Sequence, residues 1–191
     1  MNTPIELCRL SKAYGEKVLF SELSFSFPPN GLVALCGPSG SGKTTLLRIL
    51  AGLEQADGGQ VLGMEEKSVS MAFQQPRLLP RQTALSNLLA VLQGKEQPPA
   101  AQLARFYAAE LAQKRTEQLS GGEQQRVSLA RAFAVKSDVV LLDEPTASMD
   151  VALSERVTEQ ICAFAKQRLV ILASHSAVQL AAADAKIVLG E

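Results

Sequence analysis

The sequence of 191 residues contains no tryptophan, a single histidine and only three cysteines. Cys8, Cys36 and Cys162 lie far apart, and with one histidine they cannot supply a zinc cluster of cysteine and histidine ligands. An odd number of widely separated cysteines is typical of a protein from a reducing compartment. The scarcity of these residues therefore excludes a zinc domain and indicates a reducing environment.

Net charge is also absent, because 19 basic and 19 acidic residues balance to zero. Such a chain is not expected to hold nucleic acid by bulk charge, and we predict no nucleic-acid partner. No apolar stretch approaches the roughly 20 residues of a membrane-spanning helix. Residues 1–6 have neither the basic nor the apolar segment of a secretion signal. We therefore expect a soluble, cytoplasmic protein.

Hydrophobic residues make up 47% of the chain, and short apolar runs alternate with helix-like segments. Residues 32–35, 139–142 and 169–173 are continuously apolar, as strands covered on both faces must be. Residues 23–27 alternate between apolar and polar, which is typical of a strand with one face in water. This order of strands and helices predicts an α/β fold with a mostly parallel sheet.

The composition changes between about residues 83 and 117, where alanine, leucine and glutamine are frequent and Gln97-Pro98-Pro99 interrupts the pattern. We predict that this segment is a small helical subdomain. It would be inserted into an α/β core of about residues 1–82 and 118–191. The whole chain, residues 1–191, is then expected to form a single domain.

The loop Gly37-Pro38-Ser39-Gly40-Ser41-Gly42-Lys43-Thr44 matches the phosphate-binding pattern G-x-x-x-x-G-K-[ST] in full. It follows a predicted strand and precedes a predicted helix, a context that disfavours a merely structural glycine turn. Its backbone N–H groups and the positive end of the helix dipole favour bound phosphate. Lys43 is expected to reach the β- and γ-phosphates, and the Thr44 hydroxyl to bind Mg²⁺. We predict a site for ATP and Mg²⁺ formed by this loop and Thr45.

Two adjacent carboxylates, Asp143 and Glu144, follow the apolar run 139–142. Sheets of this class bind ligands at the carboxyl ends of their strands. Asp143 suits coordination of magnesium, and Glu144 suits polarising the attacking water as a general base. Alone, the pattern would also fit a solvated strand end. Downstream of a phosphate loop it predicts hydrolysis of ATP.

The segment Leu119-Ser120-Gly121-Gly122-Glu123-Gln124-Gln125-Arg126 resembles the signature sequence of ATP-binding cassette (ABC) ATPases. Ser120 and Glu123 also form a helix capping box, and both interpretations can hold together. The resemblance implies that Ser120, Gly121 and Gly122 face the γ-phosphate bound by a second copy of the domain. It also implies the fold of that family: a P-loop NTPase core with a mostly parallel sheet, an antiparallel β portion and a small inserted α-helical subdomain.

Further positions match the family's motifs in order along almost the whole chain. Tyr14 resembles the aromatic residue that stacks on adenine, although a half-buried strand aromatic would look the same. Gln74 resembles the glutamine that senses magnesium and the attacking water, with an exposed strand-end amide as the alternative. Ser148-Met149-Asp150 resembles the loop that communicates between two sites, and it also suits a helix cap.

His175 resembles the switch histidine that contacts the γ-phosphate. It is flanked by Ser174 and Ser176, where family members commonly have threonine and aspartate. The resemblance thus implies a catalytic group of Lys43, Gln74, Glu144 and His175. It implies a magnesium group of Thr44, Gln74 and Asp143.

Three functions compete: a transporter ATPase subunit, a non-transport ABC ATPase that drives a soluble assembly or DNA-repair machine, and another phosphate-loop enzyme such as a kinase. A kinase does not explain residues 119–126, and the absence of heptads before them disfavours DNA repair. Gln75-Pro76-Arg77-Leu78-Leu79-Pro80, continuing through Thr83 and Asn87, resembles bacterial importer ATPases, most of all those of nitrate, sulfonate or taurine permeases. We therefore expect a transporter subunit, with a soluble assembly ATPase as the alternative.

The resemblance also implies partners. Two copies of the ATPase domain would form a homodimer when ATP binds, and integral-membrane permease subunits would dock on it. A periplasmic or extracellular substrate-binding protein would belong to the same complex. The chain would then be cytoplasmic and peripheral to the inner face of the cell membrane, held there by the permease.

Overall fold

The computed structural model describes residues 4–92 and 98–190 of the chain. Gln97, part of the predicted interruption, and residues 1–3 of the N-terminal segment lie outside the described residues. Within the described ranges, no helix is both long enough and apolar enough to cross a membrane.

The described residues form strands and helices in an alternating order after an initial pair of strands. The strands are β1 (Glu6–Tyr14), β2 (Lys17–Ser26), β3 (Gly31–Cys36), β4 (Gly58–Leu62), β5 (Val69–Ala72), β6 (Val139–Asp143), β7 (Leu169–Ala173) and β8 (Ala185–Val188). The α-helices are α1 (Lys43–Leu50), α2 (Ala84–Leu89), α3 (Pro99–Arg105), α4 (Gly121–Ala134), α5 (Val151–Ala165) and α6 (Ala177–Ala182).

A parallel sheet with strand order β5-β6-β7-β3-β8 forms the centre of the fold. The three continuously apolar runs of the sequence all lie in it, as predicted, in β3, β6 and β7. Every residue of β6 and β7 is buried, because helices or the second sheet cover both faces. Alternate residues point to opposite sides: Leu32 and Ala34 belong to the core cluster that includes α4 and α5, whereas Val33 and Leu35 belong to the cluster that includes α1 and the second sheet.

The second sheet is antiparallel, with strand order β2-β1-β4, which confirms the expected antiparallel portion. The alternating residues 23–27 lie at the end of β2 and just beyond it. There Leu23 and Phe25 pack against the core while Ser24 and Ser26 are exposed. The hairpin between β1 and β2 pairs Tyr14 with Lys17.

Short helices occupy the segment in which a helical subdomain was predicted. It contains α2, α3 and the 3₁₀ turns Ala109–Leu111 and Thr116–Gln118. Phe106, next to α3, stacks on Phe133 of α4 with 5.2 Å between ring centroids, and Phe133 stacks on Phe164 of α5 at 4.5 Å. This aromatic stack connects the helical segment to the helices that cover the parallel sheet. The boundaries of the subdomain, at about residues 83 and 117, stay a prediction.

Candidate nucleotide-binding site

A cleft of about 420 Å³ lies where the parallel strands end. It gathers most of the residues that the sequence singled out. The predicted residues that line it are Tyr14, Ser39, Gly40, Gly42, Lys43, Thr44, Thr45, Gln74, Asp143, Glu144 and His175. A larger depression of about 640 Å³, lined by the first residues of β6 and β7, contains none of them. The smaller cleft is the candidate site, because ligands of α/β sheets bind at the carboxyl ends of the strands.

The phosphate loop joins β3 to α1 and depends on glycine for its shape. Gly37 has a φ of 137°, and a Cβ there would lie 2.2 Å from the carbonyl oxygen of Leu189. Gly42, at the start of α1, has a φ of 99° and leaves the helix without a side-chain cap. The first N–H groups of the helix are therefore free of a capping side chain and are oriented to bind an anion.

Lys43 is buried and lies across the loop. Its Nζ donates to the carbonyl oxygens of Gly37 at 2.8 Å and of Pro38 at 2.9 Å. Ser41 is also buried, and a Cβ added to Gly37 would lie 2.8 Å from the Ser41 Oγ. Gly37, Pro38 and Ser41 thus shape the loop but do not line the cleft. The ammonium group of Lys43 supplies a positive charge at the cleft, where it can face phosphate oxygens.

Thr44 and Asp143 bring α1 and β6 together at the floor of the cleft. The Thr44 hydroxyl donates to Asp143 Oδ1 at 3.0 Å, and only 3% of the Asp143 surface is exposed. Burial raises the pKa of Asp143, against the lowering effects of the Thr44 hydrogen bond and of nearby Arg48 and Lys43. A hydroxyl oxygen and a carboxylate oxygen beside a phosphate loop are the ligands that Mg²⁺ prefers. This pair, with Gln74 on the same cleft, fits a magnesium ion.

Glu144 and His175 meet on the other side of the cleft. Glu144 Oε1 lies 3.6 Å from His175 Nε2, and the histidine side chain is half exposed. Burial raises the pKa of Glu144, while the neighbouring His175 lowers it to a smaller extent. A carboxylate with a raised pKa at the edge of a polar cleft can accept a proton from water.

Tyr14 stands at the rim of the cleft with half of its surface exposed. Its hydroxyl hydrogen-bonds to the carboxylate of Glu54, and Lys12 Nζ lies 5.3 Å from the ring centroid. One ring face is therefore occupied by a cation. An exposed aromatic ring beside a phosphate loop is suited to stacking on a planar base.

The predicted residues Ser120, Gly121 and Gly122 do not line the cleft of their own chain. They start α4, where the capping box is confirmed: Ser120 Oγ accepts from the N–H of Glu123 at 3.3 Å, and Glu123 accepts from the N–H of Ser120 at 2.8 Å. A Cβ at Gly122 would lie 2.6 Å from the carbonyl oxygen of Ser148. The start of α4 is thus packed on the loop 148–150, whose Asp150 caps α5 through the N–H of Leu153.

Sequence reasoning did not find Lys17 and Leu19, which also line the cleft. A Cβ added to Gly40 of the phosphate loop would lie 3.1 Å from Lys17 Nζ. Lys17 lies beside the loop because it pairs with Tyr14 across the β1–β2 hairpin. The short turn after Tyr14 is the sequence feature that could have predicted this pairing. A second lysine ammonium group therefore lies beside the loop.

Comparison with known proteins agrees with this geometry. The sequence profile of the ABC transporter family matches residues 20–147, more than half of the chain. The sulfate/thiosulfate import ATP-binding protein CysA 1 of Chromobacterium violaceum is 41% identical over 173 residues, which cover 80% of this chain and 48% of that protein. CysA of Escherichia coli K12 is 38% identical over 173 residues, covering 80% and 47%. The chain spans about half the length of these curated relatives.

Solved structures show the same architecture. A dimeric, post-hydrolysis state of the ATP-binding cassette MJ0796, bound to ADP and Pi, superposes with a TM-score of 0.85 at 26% identity and covers 97% of this chain and 94% of its own. An inward-facing, putative metal-chelate type ABC transporter gives a TM-score of 0.84 at 25% identity, covering 100% and 80%. The chain belongs to the ABC transporter family, and its fold is that of the family's ATP-binding domain.

Proposed function

We propose that this chain binds and hydrolyses ATP as the ATPase subunit of an ABC importer, and couples dimer closure to movement of a substrate across a membrane. The observation that carries the proposal is the convergence of Lys43, Thr44, Asp143, Glu144 and His175 on one cleft. These residues come from a loop, a helix start and the ends of two strands. P-loop enzymes use residues of these types to hold a triphosphate, and their convergence on one cleft supports the proposal.

In this proposal the phosphate loop and Lys43 bind the β- and γ-phosphates, and Tyr14 stacks on the adenine. Thr44 and Asp143 would hold Mg²⁺, which would offset the negative charge of the phosphates. Glu144 accepts a proton from the attacking water, and its raised pKa suits that role. His175, 3.6 Å from Glu144, is placed to hold a γ-phosphate oxygen. Gln74, which lines the same cleft just after β5, would bind the metal and the attacking water.

We further propose that the active form is a homodimer. Ser120 and Gly121 are exposed at the start of α4 and lie outside the cleft of their own chain. The Ser120 cap takes the N–H of Glu123. The backbone N–H groups of Gly121 and Gly122 at the same helix start can bind an anion, and a second copy of the chain would bring its γ-phosphate to them. The cassette MJ0796, at a TM-score of 0.85, was solved as a dimer.

The importer assignment rests on the relatives, which are named as sulfate/thiosulfate import proteins. We propose an oxyanion of this kind as the cargo, in place of the nitrate, sulfonate or taurine group suggested by residues 75–80. Leu89 at the end of α2 is 52% exposed, and Leu79 in the loop that leads to α2 is 44% exposed; both suit contact with a permease subunit. The chain would lie on the cytoplasmic face of the membrane, bound to the permease, with a substrate-binding protein on the opposite side.

A turnover assay tests the ATPase proposal. Wild-type protein should hydrolyse ATP with a requirement for Mg²⁺. Glu144→Gln should keep ATP binding but lose turnover by about 10²-fold or more, because the general base is gone. Glu159→Gln, which removes an exposed carboxylate on α5, is the matched control and should hydrolyse ATP at the wild-type rate. Normal turnover by Glu144→Gln would remove Glu144 from the mechanism.

Transport needs a separate test in a host that lacks its own importer. The chain, expressed with a permease and a binding protein from its genomic neighbourhood, should support uptake of labelled sulfate or thiosulfate. Glu144→Gln in the same complex should abolish uptake while leaving the complex assembled. Uptake that continues in that variant would refute coupling of this ATPase to transport.

A further inference from the structure

The backbone of Glu144 is held in an unfavourable conformation. Its φ is 48°, in the left-handed region that a residue other than glycine seldom adopts. The next residue is Pro145, and a residue before proline is driven further toward extended conformations. Such a conformation persists only where the surrounding structure enforces it.

Hydrogen bonds on both sides of Glu144 supply that enforcement. The N–H of Glu144 donates to the carbonyl oxygen of Ala173, the last residue of β7, at 2.9 Å. The carbonyl oxygen of Glu144 accepts from the N–H of Ala147 at 3.3 Å and from Nε2 of Gln125 at 2.6 Å. Among the hydrogen bonds of the described residues, Gln125 is the only side chain that donates to this carbonyl.

Gln125 reaches Glu144 from α4, the helix that starts with the signature residues. It is 3% exposed and lies five residues after Ser120. Its neighbour Gln124 makes a different contact, because the Gln124 amide donates to the carbonyl oxygens of Thr116 and Leu119 within the preceding turn. The Gln124 amide therefore stabilises the turn before α4. The Gln125 amide connects α4 to Glu144, the residue that follows β6.

We propose that Gln125 is a positioning residue, which holds Glu144 in its left-handed conformation so that the carboxylate faces the cleft and His175. The inference rests on the proposed function. Because Gln125 and Ser120 share the rigid start of α4, a displacement of that helix by the partner's nucleotide also displaces the carbonyl of Glu144. Gln125 thereby links the signature region of a chain to the proposed general base of the same chain.

The first test removes the donor without changing the size of the side chain. In Gln125→Met, kcat should fall by about 10- to 100-fold, the loss expected when a reacting group is misplaced by a fraction of an ångström to an ångström. KM and the dissociation constant for ATP should stay within about twofold of wild type. Gln124→Met is the matched control, and its kcat should be close to that of wild type even if its melting temperature falls.

The second test uses pH to restore the hydrogen bond. In Gln125→Glu, a buried carboxyl that is protonated donates to the Glu144 carbonyl, and one that is ionised repels it. The ratio of its kcat to the wild-type kcat should therefore rise as the pH falls from about 8.5 to about 6. The same ratio for Gln125→Met should not change with pH. If the Gln125 amide had only a structural role, the kcat ratios of both variants would be independent of pH.

The results separate the two proposals. A wild-type chain without turnover overturns the proposed function and this inference with it. Wild-type turnover that Gln125→Met retains overturns this inference alone, as does an equal fall in ATP affinity and in kcat. Should Gln125→Met fail to fold, Gln125→Glu alone decides, and a ratio that does not depend on pH overturns the inference.

Discussion

The hydroxyl of Thr44 donates a hydrogen bond to the carboxylate of Asp143 at 3.0 Å, across 99 positions of sequence. This contact joins the first turn of α1 to the end of β6. It combines the two oxygen groups that fit Mg²⁺ and sets them beside the phosphate loop.

Loss of the Thr44 hydroxyl should weaken magnesium binding more than ATP binding. In Thr44→Val, the Mg²⁺ concentration for half-maximal turnover should rise by about tenfold or more, because one oxygen ligand is lost. A titration of turnover with Mg²⁺ at saturating ATP measures this. Thr158→Val, which removes a buried hydroxyl bonded within α5, is the control and should leave the Mg²⁺ requirement unchanged. An unchanged requirement in Thr44→Val would exclude Thr44 as a ligand.

Replacing the buried Asp143 or the partly buried Glu144 by its amide should stabilise the fold at neutral pH. Burial raises the pKa of Asp143 and of Glu144 above the unfolded value, so the protonated form is favoured in the folded protein. Their contribution to stability is therefore full below the unfolded pKa and is lost as the pH rises through the folded pKa. Asp143→Asn keeps an acceptor for Thr44 and should melt at a higher temperature than wild type at pH 7.

The gain in melting temperature of Asp143→Asn should depend on pH. The difference in melting temperature between Asp143→Asn and wild type should shrink as the pH is lowered and the wild-type carboxyl becomes protonated. Calorimetry without nucleotide at a series of pH values gives the comparison. A gain that is constant with pH, or a loss at neutral pH, would show that burial does not dominate at Asp143.

The two signature glycines should respond differently to the same substitution. In Gly122→Ala the new Cβ would lie 2.6 Å from the carbonyl oxygen of Ser148, so the helix start or the loop must shift, at a cost of about 1–3 kcal/mol. In Gly121→Ala the Cβ would lie 3.9 Å from Ser148, an ordinary contact. Alanine at that helical position should be neutral or stabilise by about 0.5–1 kcal/mol. Urea unfolding of both variants compares them, and equal stabilities would contradict the packing of α4 on loop 148–150.

Lys17 should contribute to the affinity for the phosphate groups of the nucleotide. Its Nζ lies next to Gly40 of the phosphate loop, and both residues line the cleft. Lys17→Ala should weaken ATP binding by about three- to tenfold, with a smaller effect at high salt, because the interaction is between exposed charges. Lys166→Ala on the surface after α5 is the control. Equal affinities for ATP in the two variants would remove Lys17 from the site.

Much of the fold could be predicted because local patterns determine it. The continuously apolar runs predicted β3, β6 and β7. The glycine pattern before Lys43 predicted the phosphate loop and the start of α1. The capping box at Ser120 predicted the start of α4. These features depend on neighbouring residues, which a sequence displays directly.

The contacts that could not be predicted join segments far apart in the chain. Lys17 reaches the phosphate loop only because the β1–β2 hairpin lies beside it. Gln125 meets Glu144 only because α4 packs against the parallel sheet. The left-handed conformation of Glu144 has no local signal, since a glutamate before proline favours extended backbone. Tertiary structure overrides the local preference there, as is common at functional sites.

The specific ATPase activity, measured as a function of protein concentration, tests the proposal of a shared site most directly. If Ser120 to Gly122 of one chain complete the cleft of another, activity per chain should rise with concentration and level off once the ATP-bound dimer predominates. Ser120→Arg should abolish the rise while ATP binding by the monomer persists. Activity per chain that is constant with dilution, from a species that sediments as a monomer, would contradict the account.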